Sequence, residues 1–208
     1  MKRAMMKPKM IITIVALLLF LSGCVVFSFY PLYTEKDLFP NDLLVGEWMD
    51  DDSAVWKFDF NYKGKQLPEN RDSTSFVLQI KEKGSADFGH GTMIIHIVKL
   101  GGSYFLDFYV SDYLDKQDLT VLDFHLVPVH SFAKLDIKGD KIVIRWFDPG
   151  WLQELIEQNR IRIHHENNGD YILLTAQPAE LQKFVLKYVN SVEAFKDGLN
   201  AELHRVRK

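Results

Sequence analysis

Apolar and polar residues alternate with a period of two along most of this chain, and turn residues punctuate the alternation. Ala54, Trp56, Phe58 and Phe60 alternate with Val55, Lys57 and Asp59. The same pattern sets Phe76, Leu78 and Ile80 against Val77, Gln79 and Lys81, and Tyr104, Leu106, Phe108 and Val110 against Phe105, Asp107 and Tyr109. It returns at Leu122–Leu126, Ala133–Lys138, Ile142–Trp146 and Arg160–Ile163. A period of two places one set of side chains on one face of a strand, so each segment reads as a strand with one face buried. Met93–Leu100 and Tyr171–Thr175 are apolar on both faces and read as strands covered on both sides. Asp50-Asp51-Asp52-Ser53, Gly101-Gly102, Gly139-Asp140 and Asn167-Asn168-Gly169-Asp170 supply hairpin chemistry between them. Consecutive strands joined this way form an antiparallel meander. A long meander with one apolar face curls into a barrel or folds into a sandwich, which buries that face and removes its edges. The expected fold is mainly β: an antiparallel meander closing into a barrel-like domain.

Two segments in the C-terminal half break the alternation. Asp148 is suited to cap a helix that Pro149 begins, and Trp151, Leu152, Leu155 and Ile156 make its apolar stripe. Pro178 opens a second, with Leu181, Phe184, Val185 and Tyr188 at helical spacing. A third short turn covers Val192–Phe195. These helices are expected to close or cover the sheet. No internal repeat or composition break divides residues 34–208, which read as a single β-rich globular domain. The best loop candidate is Asn61–Asp72.

Chemistry leaves few marks. No Gly-x-Ser-x-Gly elbow and no phosphate-binding glycine loop are present, and Ser103 follows Gly101-Gly102 in a hairpin turn. Asp50-Asp51-Asp52 reads as a solvated turn. His90, His96, His125, His130, His164, His165 and His204 lack the His-Glu-x-x-His and paired-cysteine spacings of zinc sites, so no metal ligand is assigned and no cofactor is expected. The aromatics of inward parity, Trp56, Phe58, Phe60, Tyr104, Phe108 and Trp146, either fill a small barrel or line a cavity for a ligand.

The start of the chain carries an address. Lys2, Arg3, Lys7 and Lys9 form a basic stretch without acids, Met10–Leu21 is apolar except for Thr13, and Leu21-Ser22-Gly23-Cys24 ends in the only cysteine. An apolar run of this length suits a secretory signal better than a bilayer span, which takes ~20 residues. The four residues resemble the lipobox of bacterial lipoprotein signal peptides. That resemblance implies a diacylglyceryl group on Cys24, cleavage ahead of it, a further acyl chain such as palmitate on its amine, and attachment to the cell envelope. Two or three chains hold firmly where one anchors marginally. Residues 1–23 are then a signal peptide. It takes four of the 25 Lys and Arg and none of the 28 Asp and Glu, so the remainder carries 21 against 28, or −7. Such a domain has little electrostatic attraction for nucleic acid. In lipoproteins of enteric-type bacteria an aspartate after the cysteine favours the inner membrane. Val25 stands there instead, which implies the outer membrane in a Gram-negative host. Residues 24–33 continue as an aromatic arm, with Phe27, Phe29, Tyr30 and Tyr33. Either the domain sits close to the bilayer or this arm packs against it.

Gly46-Glu47-Trp48 heads the first long strand. Gly-x-Trp at that place resembles the lipocalin signature, and it makes the expected barrel lipocalin- or calycin-like. The resemblance implies that Trp48 plugs the closed end and that an arginine near the last strand, Arg205 or Arg207, stacks on it. A helix after residue 148 departs from the lipocalin pattern. More broadly, Pro31-Leu32-Tyr33, Val45–Trp48, Pro128-Val129-His130 and Asp148–Leu152 resemble the layout of uncharacterised bacterial lipoproteins, a likeness that transfers no function. Three functions are expected in order. The first is a membrane-anchored envelope lipoprotein with a non-catalytic binding or interaction role toward an envelope protein. The second is a lipocalin-like carrier of a small apolar ligand, with Trp48, Trp56, Phe58, Tyr104, Phe108, Trp146 and Arg205 lining or plugging the barrel. The third is a membrane-bound hydrolase.

Overall fold

Strands dominate the computed structural model, which describes residues 25–62, 71–85, 87–88, 92–110, 125–169 and 171–206. In chain order they are β1 (Phe27–Ser28), β2 (Gly46–Asp50), β3 (Val55–Tyr62), β4 (Arg71–Lys81), β5 (Met93–Leu100), β6 (Ser103–Val110), β7 (His130–Lys138), β8 (Lys141–Trp146), β9 (His165–Asn167), β10 (Ile172–Leu174) and β11 (Asn200–Arg205). Strands β2 to β8 follow one another as an antiparallel meander. The last strand, β11, then pairs with β8 on one side and with β2 on the other, through Leu203↔Ile142 and Arg205↔Trp48. This closes an eight-stranded antiparallel barrel. The two-residue turns at Gly101-Gly102 and Gly139-Asp140 fall where the sequence places them.

Period-two alternation sorts side chains into two cores. Trp48, Phe58, Phe76, Leu78, Ile95, Ile97, Leu106, Phe108, Leu135, Ile142, Ile144, Trp146 and Leu203 point inward and contact one another as one buried cluster. The outer faces of β5, β6 and β7 are also apolar at Val98, Phe105 and Phe132, and they belong to a second cluster outside the barrel. Helix α1 (Pro149–Glu157) and helix α2 (Pro178–Tyr188) supply its other half through Leu152, Leu181, Phe184 and Val185. The helices therefore cover the barrel wall. Asp148 caps α1 by accepting from Gly150 N and Trp151 N at 2.8 and 3.2 Å. Phe147 sits at the centre of an aromatic group, with ring centroids of Phe195 at 4.5 Å and Phe184 at 5.3 Å. Each fully buried Phe or Leu stabilises the assembly by roughly 2–3 kcal/mol. The return from the helices to β11 passes Gly198, where an added Cβ would lie 2.3 Å from the Trp146 carbonyl oxygen. No other residue fits so close an approach.

Three short strands extend the sheet from the side of the barrel. Strand β1 pairs antiparallel with the start of β7 (Phe27↔Ser131) and parallel with β10 (Phe27↔Leu173), and β10 pairs with β9. The aromatic arm is thus built into the sheet, with Val26, Ser28 and Leu32 buried.

Two strand expectations need correction. Leu126 lies in an irregular run, His125–Val129, that leads into β7, because Pro128 lacks a ladder donor. The rest of that expected strand, with Leu122 and Phe124, lies outside the described residues, as do 63–70 of the expected loop. Arg160–Ile163 does alternate, with Ile163 buried and both arginines exposed, but it forms no ladder. It packs its apolar side onto the outer core instead, and the strand begins only at His165.

Candidate functional site

One end of the barrel is plugged. Trp48, on the first barrel strand, is wholly buried, and its indole N–H donates to the Leu44 carbonyl at 2.7 Å. The Arg205 guanidinium, on the last strand, lies 4.1 Å above the Trp48 ring centroid. Its Nη1 and Nη2 donate to the carbonyls of Val45 and Leu43 at 3.0 and 2.6 Å. One cation thus caps the indole face and satisfies two carbonyls of the chain entering β2. Gly46 holds φ +121°, and a Cβ there would meet Arg205 Nη1 at 3.2 Å. The backbone there calls for glycine, and an added Cβ would also press on the guanidinium. Phe39 closes the same end, its ring tilted against Tyr104 with centroids 5.1 Å apart and its N–H donating to the Ile97 carbonyl. Of the two candidate arginines, Arg205 takes the position over Trp48, and Arg207 lies outside the described residues.

Inside, the aromatics proposed as a ligand lining pack on one another. Phe58 is wholly buried, and the Phe108 and Trp146 rings pack at a tilt with centroids 5.0 Å apart. Trp56 is half-buried and its indole N–H donates to Asp50 Oδ2 at 3.0 Å. The space suited to a ligand lies at the opposite end, on the rim. It is an apolar pocket of about 270 Å³ between Phe27, Met93, Phe108, Val110, Leu126 and Val127, with Tyr109 and Ser131 among its few polar groups. Phe108 is the one predicted lining residue that borders it. Phe27 brings the N-terminal arm into its wall. Val127 is 64 % exposed, and Leu126 and Val110 are exposed beside it.

A polar clasp fastens the arm to the outer wall. Asp107 points outward from β6 yet is fully buried. Its Oδ2 accepts from Leu32 N at 2.8 Å, and its Oδ1 lies 2.7 Å from His130 Nδ1. Tyr109 stacks on the His130 ring at 4.6 Å. On β5, the strand next to β6, His96 packs against Tyr33, with Nε2 3.4 Å from the phenol oxygen. Gln182 of α2 donates to the Leu32 carbonyl at 3.0 Å. Burial, with Asp107 adding to it, pushes the Tyr33 phenol up to about 12. Burial also holds the His96 imidazole below its usual value, and its Nδ1 has no hydrogen-bond partner among the described residues.

Register aligns Ser75, His96 and Asp107 across three strands, but they do not form a nucleophilic relay. Ser75 is buried and accepts from Asn61 Nδ2, while His96 faces Tyr33 and Asp107 is engaged by Leu32 and His130. Among the described residues no three His, Cys, Asp or Glu side chains gather as metal ligands.

Sequence reading missed the clasp. Its signal was Asp107 itself, a lone acid on the outer face of β6, flanked at that parity by Phe105 and Tyr109. The Pro31-Leu32-Tyr33 and Pro128-Val129-His130 motifs meet there: Leu32 and His130 bind the two oxygens of Asp107. Cys24, with Leu21, Ser22, Gly23 and His90, lies outside the described residues, and no described helix is long and apolar enough to cross a membrane. Comparison of the chain with family models, with curated proteins and with solved structures finds no match.

Proposed function

We propose that this chain is an exported envelope lipoprotein, held to the bilayer through acylated Cys24. Its barrel is a non-catalytic binding module that offers its apolar rim to another envelope protein. The observation that carries this reading is the contrast between a packed barrel interior and an exposed apolar rim. Exposed Val127, Leu126 and Val110 around one pocket are the kind of patch a soluble surface usually avoids. Phe27, a wall of that pocket, stands three residues from Cys24, so the rim and the anchor are neighbours in the chain. In a Gram-negative host the absence of aspartate at Val25 favours the outer membrane.

The anchor is tested by fatty-acid labelling, which is lost in Cys24→Ala; labelling that persists would sink it. The rim is tested with a photo-crosslinking residue at Val127 and, as control, at Lys138 on the plugged end. A protein adduct specific to Val127 supports the binding module, and equal adducts at both positions refute it.

A second reading rests on the rim pocket itself. At about 270 Å³ it is close to the lower limit of ligand sites, roughly 300 Å³, and its lining is almost wholly apolar. A lipocalin-like carrier would hold one small apolar molecule there rather than deep in the barrel. Native mass spectrometry of protein purified from its host would show that ligand as a mass adduct, and bare protein speaks for the partner role.

A further inference from the structure

A second groove, away from the barrel rim, gathers positive charge in an acidic chain. One wall is the extended segment 160–164. Its alternation sends Arg160 and Arg162 outward and Ile161 and Ile163 into the floor. The other wall is α2, where Lys183 and Lys187 stand one turn apart, with Phe184 at the floor between them. The groove measures about 230 Å³. Its single carboxylate, Glu180, is already engaged. Oε1 accepts from His164 N at 2.9 Å, and Oε2 lies 2.7 Å from His164 Nδ1. Burial opposes the charge on Glu180, but these bonds outweigh it and hold the carboxyl below its usual value. Glu180 thereby pins the arginine wall onto α2.

The four cations form no ion pair among the described residues. Four cations against one carboxylate give the lining +3 in a chain of −3, which leaves the rest of the molecule at −6. Like charges crowded around one groove repel, and a bound anion relieves that repulsion.

We propose that this groove binds the phosphate of an anionic phospholipid headgroup. Guanidinium forks suit phosphate oxygens, and lysines add point charge. The volume admits one headgroup and no macromolecular segment. The apolar floor of Ile161, Ile163 and Phe184 suits the glycerol and first methylenes of a lipid, which inorganic phosphate lacks. The groove also stands close to the arm: Thr175 N donates to the His164 carbonyl at 2.9 Å, and Thr175 directly follows β10, the strand paired with β1. The inference goes beyond the rim's role and does not require lipidation of Cys24.

The test is calorimetric titration of the full chain, in a neutral detergent, with dihexanoyl phosphatidylglycerol. Dihexanoyl phosphatidylcholine and inorganic phosphate serve as comparison probes. Phosphatidylglycerol is expected to bind one to one, more weakly as salt rises, and at least about ten-fold more tightly than either comparison probe. Arg162→Glu with Lys183→Glu should abolish that binding with an unchanged melting temperature, since both side chains are exposed. Arg162→Lys should keep most of it. The proposal is overturned if the charge-reversed protein binds phosphatidylglycerol as the parent does, or if phosphatidylcholine or inorganic phosphate binds equally well. Failure of the parent to bind phosphatidylglycerol overturns it as well.

Discussion

The two ends of the barrel are built on opposite plans. At the plugged end β5 turns into β6 at Gly101-Gly102 and β7 into β8 at Gly139-Asp140, and Trp48, Leu44, Phe39 and Arg205 seal what remains. At the rim end the 51–54 turn is short, and the other connections are long: 82–92, 111–129 and the whole of 147–199 with both helices. At the plugged end β3 also ends and β4 begins, at Tyr62 and Arg71, with 63–70 between them outside the described residues; the two-residue turns and the Trp48–Arg205 seal give that end closure and stability. Long connections carry the apolar pocket, the helices and the cationic groove. The comparison teaches that a small barrel separates its duties along its axis, because surface loops are free to carry binding groups only where a rigid scaffold holds them.

The sharpest break in that comparison is at the plug. Trp48→Ala should cost about 4 kcal/mol by emptying a fully buried site, read as a lower midpoint in urea unfolding. A loss of less than about 1 kcal/mol would show that the plug does not carry the barrel. Asp107→Ala should cost about 3 kcal/mol, because Leu32 N–H and His130 lose their partner in a buried place. In that variant protease cleavage within residues 25–33 should rise, while the barrel core stays resistant.

The clasp also predicts a pH window. The His96 pKa is depressed in the fold, so its contribution is present above about 6.5 and is lost as pH falls toward the folded value. The Tyr33 pKa is raised to about 12, so its contribution is complete below about 10 and is lost as pH climbs through 12. Urea midpoints measured from pH 5 to 11.5 should fall at both ends, and Tyr33→Phe should remove the alkaline fall alone. An alkaline fall unchanged in Tyr33→Phe would assign it to another group.

Smaller effects test the finer division. Arg205→Lys keeps the charge but loses the fork that reaches two carbonyls, and should cost about 1–2 kcal/mol. Val110→Asp at the rim should change stability by less than about 0.5 kcal/mol and yet remove the protein adduct formed by the crosslinking residue at Val127. A large stability loss there would mean that the rim is structural, as the plug is.

Much of this architecture is legible along the chain, for a definite reason. Strand parity is a local property, so Phe58, Leu106 and Ile144 could be set on the inner face from their neighbours alone. The cap at Asp148 and the helix start at Pro178 are local as well. The stacking of Arg205 on Trp48 was expected from a resemblance, not from any local signal, since 156 positions separate the two residues. Alternation misled at Arg160–Ile163, because a helix accepts the inward isoleucines as readily as a neighbouring strand would.

Readable along the chain are a one-faced antiparallel meander, the positions of its turns, one capped helix and a second begun by proline, and an acidic composition around a cationic minority. Those follow from interactions within a few residues. Long-range packing makes β11 the closing strand and lays the helices over the outer wall of β5–β7. It alone brought Leu32, His96, Asp107 and His130 into one buried clasp, and aligned Arg160 and Arg162 opposite Lys183 and Lys187. Each of these depends on which distant segments share the removal of apolar surface from water, and that is settled by the whole packed chain rather than by any stretch of it.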